Sequence, residues 1–166
     1  YGRGPVWLYA AIACHVGTAD LFQFDPRLGW VMAPTPIVTP PVPQAPLQAV
    51  TFIEGAHTRI EFILPHHYVD YLEREEVTAP PVPQDRGVVL SGKLPHWLWT
   101  ALARTYRRLP WLAVYYPQQE GSAIVVCSRD GSRPPGTVIP LSGTTGGDRG
   151  ASGIMRPARR RWDLDG

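Results

Sequence analysis

The feature that most constrains this chain is a stretch that occurs twice. Residues 2–14 read GRGPVWLYAAIAC and residues 92–104 read GKLPHWLWTALAR. Gly2, Pro5, Trp7, Leu8, Ala11 and Ala13 return as Gly92, Pro95, Trp97, Leu98, Ala101 and Ala103, six identities over thirteen positions at a constant offset of 90. Arg3/Lys93, Tyr9/Trp99 and Ile12/Leu102 are conservative exchanges between the copies. Self-similarity of this kind means that one structural module is present twice, and it decides how the rest of the chain is divided.

Each copy reads as a strand end, a tight turn and a helix. Glycine supplies the unusual backbone angles, and proline fits the first helical turn, where its missing N–H costs nothing. In the first copy Trp7, Leu8, Ala11 and Ile12 share one helical face, which predicts an apolar contact surface there. Leu21, Phe22 and Phe24 follow as a short strand ending in the DPRLG turn of residues 25–29, and Trp30, Val31 and Met32 as another. In the second copy the strands are expected at 49–53, 58–64, 87–90, 111–115 and 122–127, with a short charged helix at 68–75 and a closing segment near Leu141. Trp97, Trp99 and Trp111 read as core, and His57, His66 and His67 as structural.

The predicted class is α/β: a mixed sheet with helices packed on it, in the order β-β-α-β-α-β-β. Four segments are expected, namely 1–33 as the C-terminal part of a first module, 34–47 as a linker, 48–141 as a second module and 142–166 as a Gly-rich, basic tail. Six prolines within residues 34–46 forbid a helix or a central strand and favour extended polyproline II. At ~3.1 Å per residue that stretch reaches roughly 40 Å, enough to cross one small domain. A complete second module makes the first one N-terminally incomplete, so its opening strands are expected from another chain or from an upstream segment. The two related modules should then pair as a pseudo-dimer.

A net charge of only +2 excludes binding of polyanions by bulk electrostatics. The RPARRR run at 156–161 carries the positive balance and reads as a solvated tail rather than a nucleic-acid arm. Cys14 and Cys127 are far apart in sequence and lack metal-ligand spacing, so they read as small buried hydrophobes in a reducing compartment, the cytoplasm. No apolar run reaches the ~18 residues that a membrane span needs.

GRGPVWLYAAIACHV followed by QFDPRLG resembles the signature of the small, manganese-dependent CRISPR-associated ring nucleases. VVLSGKLPHWLW, VYYPQQEG and AIVVCSR look like a divergent version of it. The resemblance implies a mixed α/β fold, dimers, and binding and linearisation of cyclic tetra-adenylate. It implies Asp25 and His15 (or Cys14 beside it) at the family's catalytic and metal-binding positions, with manganese or another divalent metal as cofactor. Gly2, Arg3, Gly4, Pro5 and Arg27 are then ligand contacts in the first copy, and Gly92, Lys93, Arg104 and Arg129 in the second.

Such chemistry needs a base for the ribose 2′-hydroxyl and positive charge at the phosphorane, and a helix N-terminus is a natural phosphate seat. Carboxylate and imidazole suit manganese. The sequence departs from the family at three places. The family's V-V-V-A-S-H histidine is absent where WVMAPTP runs on, and Arg129 stands there in the second copy. Arg104 and Thr105 replace Cys14 and His15, and Tyr116 replaces Asp25. The expected function is therefore cyclic oligoadenylate binding with weak metal-dependent cleavage. The alternative is a non-catalytic structural or assembly module, in which the second copy is a built-in dimer partner.

Overall fold

The computed structural model describes residues 4–66, 68–116, 118–119 and 121–141. Gly2, Arg3 and the expected tail lie outside them. Helix α1 (Val6–His15) leads into the hairpin of β1 (Phe22–Asp25) and β2 (Gly29–Met32), and β3 (Ile37–Val38) follows. Then come β4 (Gln48–Glu54), β5 (His57–Ile63), a 3-10 helix (Tyr71–Glu76), β6 (Thr78–Ala79) and β7 (Gly87–Gly92). Helix α2 (His96–Tyr106), β8 (Trp111–Tyr115), β9 (Ser122–Ser128) and β10 (Val138–Pro140) complete the order.

Six strands form one mixed sheet in the order β10-β9-β8-β7-β5-β4. β7 is parallel to both β5 and β8, whereas the remaining neighbours are antiparallel. The parallel pair β7–β8 flanks α2 in sequence, a βαβ unit, and such strands are buried on both faces. That explains the unbroken apolar GVVL. Val88 and Leu90 enter the core beneath the helices, while Val89 packs with Trp111, Ala113 and Val125 on the opposite face.

The two helices occupy the same side of the sheet. Helix α2 is buried nearly all round, from Trp97 to Ala103 and again at Tyr106. The Tyr106 hydroxyl donates to the Pro80 carbonyl at 2.7 Å, and burial raises its pKa above the ordinary phenol value, which keeps it a neutral donor. Helix α1 lies beside α2 and reaches β8 and β9. Its fully buried residues are Ala10 and Ala13, with Trp7, Ala11 and Cys14 half-buried against the core. Leu8 and Ile12, expected on the contact face, are 38% and 44% exposed. The helix has turned its alanine edge inward, because only small side chains let two helices and a sheet approach this closely.

Two further expectations change. Cys14 and Cys127 meet between α1 and β9, where their side chains hydrogen-bond. That bond, and then burial, pushes the Cys14 thiol well above its ordinary pKa. The proline-rich segment is also held to the domain rather than simply spanning it. Ile37 N–H donates to the Val77 carbonyl at 3.1 Å and Thr39 N–H to that of Ala79 at 3.0 Å, so β3 pairs in parallel with β6. Ala45 and Leu47 are buried. Among the described residues no helix is long and apolar enough to cross a membrane.

The repeat supplies its own stability test. Leu98 is fully buried, whereas Leu8, its equivalent, is exposed. Leu98→Ala should lose roughly 3 kcal/mol in urea unfolding, and Leu8→Ala less than about 1 kcal/mol.

Candidate functional site

The helices run in the same direction. Near their starts the ring of Tyr9 stacks on that of His96, with centroids 4.2 Å apart and planes at 24°. At their far ends the Arg107 guanidinium donates to the Gly17 carbonyl. Both helix N-termini therefore open at one end of the molecule. Each follows a proline, and neither has a side-chain cap. The first N–H groups of a helix lack intrahelical acceptors, so this end favours an anion or a polar ligand.

The β1–β2 turn delivers a carboxylate to the same end. Asp25 is only 6% exposed. Its Oδ1 accepts the Arg27 N–H at 2.8 Å, and the Asp25 carbonyl accepts the Leu28 N–H at 3.2 Å. Proline at 26 and glycine at 29, with φ of +78°, suit this turn. The Arg27 guanidinium stands 3.7 Å from the same oxygen and is mostly solvated.

Asp25 and His96 line one cavity of about 240 Å³, together with Phe24, Pro26, Leu94 and Trp97. Burial holds the His96 imidazole below its usual pKa, and the Asp25 charge partly counters that. His96 is thus poised as a neutral imidazole at pH 7, able to accept or donate one proton. Tyr9 fixes its ring from the other side, while the Tyr9 hydroxyl accepts the Gly4 N–H at 3.2 Å.

The expected site residues divide between the two ends. Gly4, Pro5, Asp25, Arg27, Gly92 and the exposed Lys93 belong to the N-terminal end. His15 ends α1, with Nδ1–H donating to the Ala11 carbonyl at 2.7 Å. Arg104 lies in the last turn of α2, and Arg129 bonds to Pro110 and Arg108 beyond it. At ~1.5 Å per residue, these helices put roughly 15 Å between the two groups. His15 and Asp25 are therefore not brought together. Among the described residues no three His, Cys, Asp or Glu side chains gather as a metal cage. The donors among the described residues do not fit a metal on their own.

His96 and Tyr9 are the residues that sequence reasoning missed. The signal was within reach, since His96 is the first helical residue after the very turn read as a phosphate seat. Gly92 has a structural reason for its identity. Its φ is +145°, and an added Cβ would lie 2.6 Å from the Phe62 carbonyl oxygen. Beside the cavity, a larger apolar groove of about 640 Å³ runs along α1 and β1.

Residues 63–140 match the family described as CRISPR-associated protein (Cas_csx3). This part of the chain is similar to a Cas_csx3 domain. The match covers a little under half of the sequence and runs from the end of β5 to β10. It includes α2, His96, Lys93 and the β7–β8 pair, but not α1 or Asp25. The CRISPR association read from the first copy's motif thus attaches to the more divergent copy. Asp25 reaches the matched region from outside it, across the cavity it shares with His96.

Two predictions follow from this geometry. Gly92→Ala should destabilise the fold by roughly 1–3 kcal/mol in urea unfolding, with or without any ligand. For His96 and His57, burial is the first cause lowering both pKa values below 6.5. The unfolded chain then takes up protons first as pH falls, so stability should be level above pH 6.5 and decline below it. His96→Gln should flatten part of that decline in thermal melts between pH 7.5 and 5.

Proposed function

We propose that this chain binds a cyclic oligoadenylate at the N-terminal end of its paired helices. The observation that carries the reading is the Asp25–His96 cavity at an uncapped helix start, within a chain that carries a match to Cas_csx3. Phosphates are recognised by the free N–H groups of the helix starts and by Lys93 and Arg27, which are exposed at that end. The flat pair of Tyr9 and His96 offers an aromatic face against which a base can stack.

Binding is favoured over efficient cleavage. A ribose phosphodiester is cut when the 2′-hydroxyl loses its proton and attacks the neighbouring phosphorus. Here His96 is the group suited to take that proton, and Asp25 to hold the imidazole as it charges. Among the described residues no arginine is buried at this end to meet the charge that develops on the phosphorane, which favours weak cleavage. Manganese enters only as a cation bound with the ligand.

The packing supports a pseudo-dimer reading of the repeat. Helix α1 packs on β8 and β9, whereas α2 meets β1, where Gln23 donates to the Thr100 hydroxyl. Since β1–β2 follows α1 as β8–β9 follows α2, each helix touches the other copy's hairpin. Gly17 and Arg107, bonded to one another, are themselves equivalent positions at the offset of 90. A reciprocal exchange of this kind is what a two-fold axis would generate.

The test is equilibrium binding of labelled cyclic tetra-adenylate, with and without manganese, followed by separation of linear product. Asp25→Ala and His96→Ala should each weaken binding at least tenfold, and any linear product should fall with His96→Ala. Full binding by both variants would remove this end of the molecule as the site. No binding by the parent chain would leave the assembly role of the second copy as the better reading.

A further inference from the structure

Cys14 and Cys127 lie over a hundred positions apart in sequence, yet their side chains meet. Cys14 belongs to the last turn of α1, in the first copy of the repeat, and Cys127 to β9, in the second. Both are free thiols. Cys127 is packed within the core cluster at 7% exposure, and Cys14 closes over the same cluster from its edge, half-buried. The contact therefore sits at the seam between the copies, and solvent reaches it from the Cys14 side. At the repeat's offset of 90, Cys14 corresponds to Arg104, so the second copy has no thiol at this place.

The surroundings are those of a reactive pair rather than of two inert apolar side chains. Cations favour a thiolate, and two guanidiniums lie close enough to act here, Arg107 on Cys14 and Arg129 on Cys127. Both are held in place, Arg107 by the Gly17 carbonyl and Arg129 by that of Arg108. The two thiols are also made unequal. The bond to Cys127, and then burial, keeps the proton on Cys14. The bond from Cys14 holds Cys127 below the ordinary thiol value, helped by the Leu112 backbone opposite it and by Arg129, and opposed by burial. One sulfur is thus suited to react and its neighbour to resolve the product. The pair does not make a metal site, since among the described residues no third His, Cys, Asp or Glu joins the two sulfurs.

We infer that Cys14 and Cys127 are a redox site, oxidised by peroxide to a disulfide that ties helix α1 to strand β9. Cys127 gives its proton to water, and its sulfur attacks one oxygen of hydrogen peroxide. The O–O bond breaks, leaving a sulfenic acid on Cys127 and a hydroxide that takes up a proton as water. The Cys14 sulfur then attacks the Cys127 sulfur. The S–O bond breaks, and the departing hydroxide takes the Cys14 proton as a second water. Two thiols are oxidised to one disulfide, and one peroxide molecule is reduced to two waters. Peroxide is small enough to enter past the half-buried Cys14. The bridge closes a loop of over a hundred residues, and the freedom it removes from the unfolded chain stabilises the folded one. It also fixes the seam between the copies beside the Arg107–Gly17 bond, at the end of the helices away from the Asp25–His96 cavity. The inference is independent of any ligand at that cavity.

The test exposes the whole chain to stoichiometric hydrogen peroxide, folded and in urea, and follows free thiols, peptide maps and melting. In the folded chain both thiols should disappear together, at least about tenfold faster than in urea. The product should be lighter by two hydrogens and yield a peptide linking Cys14 to Cys127. It should melt at least about 5 °C above the reduced chain, a gain that dithiothreitol reverses. Cys14→Ser should leave a sulfenic acid on Cys127 that dimedone traps, with no gain in melting temperature. Equal rates in the folded and the urea-unfolded chain overturn the inference. So do thiols that oxidise without forming that link, or a linked chain that melts no higher. The parent chain alone decides these outcomes, so a variant that fails to fold leaves the test intact.

Discussion

The structure depends on the parallel pairing of β7 with β8 beneath α2. Val88, Leu90, Leu98, Leu102, Leu112 and Val114 meet there with no exposed surface at all. Burial of a side chain of this size is worth about 1.5–3 kcal/mol, so these few residues outweigh any polar interaction in the molecule. Everything else is arranged around that unit. β5 and β4 extend the sheet on one side, β9 and β10 on the other, and α1 uses the space left beside α2. The Asp25–His96 cavity exists because this packing fixes the first turn of α2 and leaves the β1–β2 turn to close over it.

Much of that unit was legible in the sequence. Apolar runs at 87–90, 111–115 and 122–127 became β7, β8 and β9, and the stretch after Pro95 became α2. Their signals are local: β-branched residues, turn residues at the ends and a helical start. The expected α/β class with a mixed sheet and packed helices is the one observed. The face of α1 was not legible, because Ala10 and Ala13 are chosen by a partner more than ninety residues away. The Cys14–Cys127 contact and the β3–β6 pairing escaped for the same reason. Two backbone hydrogen bonds hold β3 in place, and no side-chain pattern encodes them.

The candidate site was half legible. Asp25 stood out through the family resemblance, and Gly92 and Lys93 through the repeat. His96 did not, because the family resemblance drew attention to a histidine near the end of the first helix. The structure puts that residue at the wrong end of the helix to work with Asp25. The histidine that does face Asp25 occupies the position of Val6 in the other copy, so the repeat itself concealed it.

The shared direction of α1 and α2 carries an electrostatic cost. Neighbouring helices usually lie antiparallel, which lets their macrodipoles cancel, whereas here the two add. One end of the pair gathers partial positive charge and the other partial negative charge. The residues at those ends answer this: Asp25 sits by the helix starts, and Arg104, Arg107, Arg108 and Arg129 surround the helix ends. Arg104 and Arg129 are thereby accounted for without a ligand, as counter-charges to two stacked dipoles. Neutralising them would lower the positive potential felt at the opposite end very little, since the effect fades within one helical turn. The junction at Gly17 is held by Arg107 and would stay in place.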